Sequence, residues 1–88
     1  MLKAEAVVPN RLGLHARPSA KLTATASKFA SEVWLSKGAR RINAKSIMGV
    51  MMLAAAKGST LLIEADGPDE REAVEAMREL IESGFGEE

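Results

Sequence analysis

The feature that most constrains the fold is the switching of hydrophobic period along the chain, between two residues and three to four. Leu2, Ala4, Ala6 and Val8 alternate with Lys3, Glu5 and Val7, the period of a strand with one buried face, until Pro9-Asn10 closes it. From Ala16 to about Phe29 the residues Ala16, Ala20, Leu22, Ala26 and Phe29 fit a helical stripe, with Pro18 tolerated only in the first turn. Glu32 to Lys37 and Arg40 to Asn43 flank Gly38-Ala39, which predicts two short strands in a tight hairpin, Trp34 anchoring one face. Ser46 precedes the apolar stretch Ile47 to Met52 as a helix cap would, and Lys57-Gly58 ends that segment. Thr60 to Asp66 alternates again as a fourth strand, and Gly67-Pro68 turns the chain. Asp69, Glu70 and Glu72 load the first turn of a last helix, whose Ala73, Val74, Met77, Leu80 and Ile81 form one stripe that Gly84 stops. Gly86, Glu87 and Glu88 read as a short, mobile polar tail.

The order is βαββαβα with short connections, so an α+β fold with one antiparallel sheet covered on one face by helices is the economical packing. Residues 1–88 have room for a single domain, and 15 of the apolar residues are alanine, so the expected core is thin. Without cysteine there is no disulfide scaffold, thiol nucleophile or Cys-rich zinc site, and lone His15 cannot build a multi-histidine metal cluster. Neither a metal nor another cofactor is expected, and a cytoplasmic setting is the natural default. The longest apolar run, Ile47 to Ala56, falls short of a membrane span, and Lys3 and Glu5 interrupt any signal-peptide core. The expectation is a soluble protein that is not exported.

Zero net charge hides a split. Residues 1–57 hold ten basic residues against Glu5 and Glu32, whereas residues 58–88 hold only Arg71 and Arg78 against ten carboxylates. A basic half is able to attract phosphates, nucleic acid or an acidic protein. Nucleic acid is not expected, because only Arg40-Arg41 speaks for it and no aromatic platforms accompany the charge.

Chemistry concentrates at Gly13-Leu14-His15-Ala16-Arg17-Pro18. The only histidine stands at a predicted helix start, where unpaired amides such as those of Ala16 and Arg17, the positive dipole end and a guanidinium all favour a bound anion. An imidazole that is neutral near pH 7 is a usable nucleophile and could accept a phosphoryl group itself. The residues alone leave open a plain loop histidine. Ser46 has two readings as well: a good cap and nothing more, or a phosphorylation switch beside Lys45. Ile47, Met48, Met51 and Met52 exceed what one face of so short a helix buries, which leaves either an exposed docking patch or a methionine-rich core. Paired loop carboxylates, a Walker-type glycine run and a hydrolytic triad are all missing.

With GLHARP at residues 13–18 in register with NAKSIMGVM at 43–51, the chain resembles the HPr phosphocarrier family of the bacterial phosphoenolpyruvate:sugar phosphotransferase system. The resemblance spans essentially the whole chain. It implies an open-faced β-sandwich, a four-stranded antiparallel sheet with three helices on one face. It implies that His15 accepts a phosphoryl group on Nδ1 from phospho-enzyme I and passes it to IIA domains of sugar transporters, with Arg17 steadying the phosphate. Ser46 matches the family's site for an HPr kinase/phosphorylase, and Ile47, Met48 and Met51 match partner-docking positions. Such a protein is a phosphoryl carrier rather than a stand-alone turnover enzyme, and a monomer is expected because a carrier must keep its docking face free. Leu12 and Ser19 depart from the family pattern of a small polar residue and an alanine, so phosphate contacts there are expected to differ. The alternative is a regulatory module of a nitrogen-type or other regulatory phosphotransfer chain, acting mainly through Ser46 and the Ile47 to Met52 surface.

Overall fold

A computed structural model describes residues 1–86 of the chain, so the expectation for Glu87 and Glu88 lies outside the described residues. The elements follow the expected order: β1 (Leu2–Val7), α1 (Ala16–Ala26), β2 (Glu32–Lys37), β3 (Arg40–Asn43), α2 (Ile47–Met52), β4 (Thr60–Asp66) and α3 (Glu70–Glu82). The strands form one antiparallel sheet in the order β1-β4-β2-β3, so the fourth strand inserts between the first two. Facing pairs such as Ala6 with Leu61 and Leu35 with both Ile63 and Ile42 put the alternating apolar residues on one side, under the helices. There Val8, Leu22, Leu35, Leu61, Ile63, Met77 and Ile81 are fully buried. No helix among the described residues is long and apolar enough to cross a membrane.

Trp34 does anchor a face, but the helix-free one. The guanidinium of Arg41 lies 4.2 Å from the centre of its ring. Arg41 Nε also donates to Glu64 at 2.9 Å, and Lys3 Nζ approaches the other Glu64 oxygen at 3.7 Å. Glu64, only 7% exposed on the otherwise open side of the sheet, is thus met by a cation from the adjacent β1 and by one from β3, which reaches across Trp34 of β2.

Three local expectations need correction. The buried stripe of α1 is Pro18, Ser19, Leu22 and Ala26, while Ala16 and Ala20 are exposed and the helix ends at Ala26. Ser19 tolerates burial because its hydroxyl donates to the Leu14 carbonyl at 3.5 Å. Asp69 does not simply load the first turn of α3. Its carboxylate accepts the Ser31 hydroxyl and the amides of Ala30 and Ser31, the last two at 2.9 Å, and these donors hold its pKa below the ordinary 3.8, led by Ser31. Gly86 belongs to a 3-10 turn, Gly84–Gly86, and not to a free tail.

The charge split becomes spatial. Acidic α3 packs on β1 at one edge of the sheet, whereas α2 and the hairpin cations Lys37, Arg40 and Arg41 occupy the β3 edge.

Candidate functional site

His15 is the N-cap of α1. Its backbone is extended (φ −85°, ψ −168°) and its side chain makes no capping bond, so the imidazole does not close off the helix end. The His15 carbonyl accepts the Ser19 amide at 3.0 Å, and Pro18 in the first turn has no amide to offer. Ala16 and Arg17, the first two helical residues, therefore present amides with no intrahelical acceptor, at the positive end of the dipole. Both residues are exposed while His15 is half-buried, so the helix start beside the ring has the character of an anion site, with Arg17 supplying a positive charge on the same turn.

The loop that delivers His15 is tightly made. Gly13 takes φ +67°, and a Cβ there would collide with the Ala55 carbonyl and come within 2.9 Å of the Ala56 Cα. That close approach lets Leu14 donate its amide to Ala55 at 2.9 Å. Below it, buried Asn10 donates Nδ2 to the Gly13 carbonyl at 2.8 Å, and the same carbonyl accepts the His15 amide at 3.1 Å. Sequence reading took Pro9-Asn10 as a strand stop only. An asparagine three residues before a glycine, in a loop too short to hydrate its interior, was the available signal.

Ser46 caps α2, its hydroxyl accepting the Gly49 amide at 3.1 Å. Asn43 prepares that corner by accepting the Lys45 amide on its side chain at 2.8 Å and the Ser46 amide on its carbonyl at 3.0 Å. The Lys45 ammonium points elsewhere: it donates to the Phe29 carbonyl at 2.9 Å, so it is engaged with the α1–β2 connection rather than held over Ser46. Within α2 only Val50 is buried, which rules out a methionine-rich core. Ile47, Met48, Met51 and Met52 are all exposed, Met48 to 69%.

The structure does not bring His15 and Ser46 together. The histidine loop is fastened at Ala55, beyond the C-terminal end of α2, whereas Ser46 caps the N-terminal end. Six helical residues at ~1.5 Å each put roughly 9 Å of helix between those ends. The exposed Ile47, Met48 and Met51 lie along that interval, on a helix that packs against α1. Two hairpin cations, for which the sequence suggests no such contact, brace the C-terminal end of α2: Arg40 donates to the Met52 carbonyl at 2.7 Å and Lys37 to that of Ala54 at 3.1 Å. Of the departures noted above, Ser19 is fully buried and faces Leu14, so it offers nothing to an anion, while Leu12 is exposed.

The family model described as the PTS HPr component phosphorylation site matches residues 2–83. The phosphocarrier protein HPr of Neisseria meningitidis serogroup A is 58% identical over 87 residues, covering 99% of this chain and 98% of its own length. The solved HPr of Thermoanaerobacter tengcongensis superposes with a TM-score of 0.95 at 48% identity, covering 100% of this chain and 99% of that one. The catabolite repression containing protein Crh of Bacillus subtilis, solved as a dimer with a swapped domain, superposes with a TM-score of 0.77 at 38% identity, covering 96% and 97%.

Proposed function

Because the chain belongs to the HPr phosphocarrier family of the phosphotransferase system, we propose that it is a single-domain carrier. It takes a phosphoryl group from phospho-enzyme I onto Nδ1 of His15 and hands it to IIA domains of sugar transporters. The observation that carries this reading is the placement of the only histidine as the N-cap of α1, beside the amides of the exposed residues Ala16 and Arg17. In the step, the Nδ1 lone pair of neutral imidazole forms the new bond to phosphorus while the bond to the donor breaks and its electron pair returns to the donor. The imidazole keeps its Nε2 proton throughout. The charge that collects on the phosphoryl oxygens is met by the two amides and the Arg17 guanidinium. Positioning and charge are most of what such a transfer needs, so a small carrier suffices when its partners bring the rest.

Ile47, Met48 and Met51 form the docking surface for enzyme I and the IIA domains, and the flanking cations steer acidic partner faces to it. Exchange is rapid and the carrier works as a cytoplasmic monomer, which sedimentation at the mass of one 9.4 kDa chain would support and a dimer's mass would contradict. Phosphorylation of Ser46 by an HPr kinase/phosphorylase would place charge at the far end of the docking helix, roughly 9 Å from the end where His15 is fastened. Its effect on transfer would therefore run through partner docking rather than through the His15 phosphate.

A second reading is favoured by the exposure of all four apolar side chains Ile47, Met48, Met51 and Met52. In it the chain is a regulatory module of a nitrogen-type or other phosphotransfer chain, recognised through Ser46 and that surface. One experiment separates the two. The protein is incubated with phosphoenolpyruvate and enzyme I, and adduct mass and acid lability are followed in wild type and His15→Ala. An acid-labile adduct that vanishes in the variant supports the carrier. No adduct, or one that survives the substitution, refutes it and leaves the regulatory module.

A further inference from the structure

The residues after α3 do not trail away from the fold. In the turn Gly84–Gly86, Phe85 adopts φ 60°, a region that bulky side chains avoid, and is only 1% exposed. Lys21 reaches from α1 to donate Nζ to the Phe85 carbonyl at 2.6 Å. A backbone so disfavoured persists where its surroundings over-determine it. Here the hydrophobic core holds the ring and an ammonium holds the carbonyl.

This hook lies against the histidine loop. A methyl group on Gly84 would stand 3.8 Å from Cβ of Asn10 and 3.9 Å from Cγ of Pro9, so the turn faces the start of the loop across about the width of one methyl group. Asn10 and His15 then meet at one atom, the Gly13 carbonyl, which accepts Nδ2 of the first and the amide of the second. The line from Lys21 and Phe85 through Gly84, Asn10 and Gly13 ends at the histidine.

We propose that Lys21 and Phe85 are positioning residues for phosphoryl transfer: their hook backs Asn10 and so fixes the stance of His15, without touching the phosphoryl group. The proposal rests on the reading of His15 as the acceptor. Lys21→Met removes the donor and keeps the aliphatic stem, Lys21→Arg restores a donor, and Phe85→Leu keeps an apolar side chain on the hook. For each variant the rate of phosphohistidine formation with enzyme I, the melting temperature and the amide NMR shifts of residues 9–15 are measured.

Lys21→Met and Phe85→Leu are expected to slow phosphorylation by roughly three- to tenfold, as a displaced acceptor would. Shifts should move at Asn10, Gly13 and His15, and Lys21→Arg should recover both the shifts and the rate. The slowing should persist at temperatures well below each variant's melting point. Unmoved shifts over residues 9–15, or wild-type rates in both variants, would overturn the hook while leaving His15 as acceptor. A wild-type protein that takes up no phosphoryl group would instead overturn the acceptor reading, and the role of the hook in transfer with it.

Discussion

Gly13 and Gly38 make a matched pair for testing how the histidine loop is held. Both have left-handed backbones, with φ +67° and +59°. They differ in surroundings: a Cβ on Gly38 would meet nothing within 4 Å, whereas one on Gly13 would run into the Ala55 carbonyl. An L side chain in this region costs about 1–2 kcal/mol, partly offset by about 0.4–1 kcal/mol from the stiffer unfolded chain. Gly38→Ala should therefore lose about 0.5–1 kcal/mol. Gly13→Ala adds overpacking of about 1–3 kcal/mol and loss of the Leu14 to Ala55 hydrogen bond, about 1 kcal/mol, for a total near 2–4 kcal/mol after partial relaxation. For a domain of this size the melting temperature should fall by roughly 8–32 °C for Gly13→Ala and by roughly 2–8 °C for Gly38→Ala. Calorimetry of both variants under identical conditions reads the difference, in which the shared backbone contribution cancels. Equal falls would refute the claim that the loop is pressed against Ala55, and with it the account of how His15 is presented.

Two further outcomes follow from contacts away from that loop. Asp69 has its pKa lowered by its Ser31 and Ala30 donors, so the unfolded chain binds the proton more readily. The stability this group contributes is complete above the ordinary value of 3.8 and is lost as pH falls through the lower folded pKa. Denaturant unfolding of wild type and Asp69→Asn across the acid range should show the variant losing that part of the slope, and parallel curves would refute it. Ser46→Ala should cost about 1 kcal/mol through the lost cap on Gly49, while Ser46→Asp should keep wild-type stability because aspartate caps equally well. Thermal unfolding tests both, and a destabilised Ser46→Asp would contradict the capping geometry.

The elements with strong period were legible in the sequence, and those governed by tertiary contact were not. β4 and α3 follow directly from where Leu, Ile, Val and Met recur, because those side chains have one tolerable place. Alanine carries no such demand. Ala16 and Ala20 consequently misled the placement of the α1 stripe, while Ser19 hid its burial behind a bond to the Leu14 carbonyl. The grip of Asp69 on Ala30 and Ser31 spans 38 and more positions, and the engagement of Lys45 with Phe29 spans 16, so no local pattern announces either. Phe85 left one trace: an aromatic residue directly after a helix-stopping glycine is where a chain often tucks an apolar side chain back onto the helix it has left. The candidate site was readable as residue types at a helix start and a capped apolar helix. The separation of His15 from Ser46 along α2 needed three dimensions.

The bracing of α2 by the hairpin has a consequence for how this molecule behaves in a crowded solution. A greasy patch on a six-residue helix invites copies of the chain to stick to one another, since nothing in Met48, Met51 and Met52 distinguishes a partner from a twin. Lys37 and Arg40, fastened to the carbonyls at the end of that helix, put positive charge beside the patch. Two copies meeting oil to oil would crowd like charges together, whereas a partner with an acidic border would find the same cations attractive. The bonds that close the helix end would thus also favour an acidic-bordered surface over a second copy of the chain.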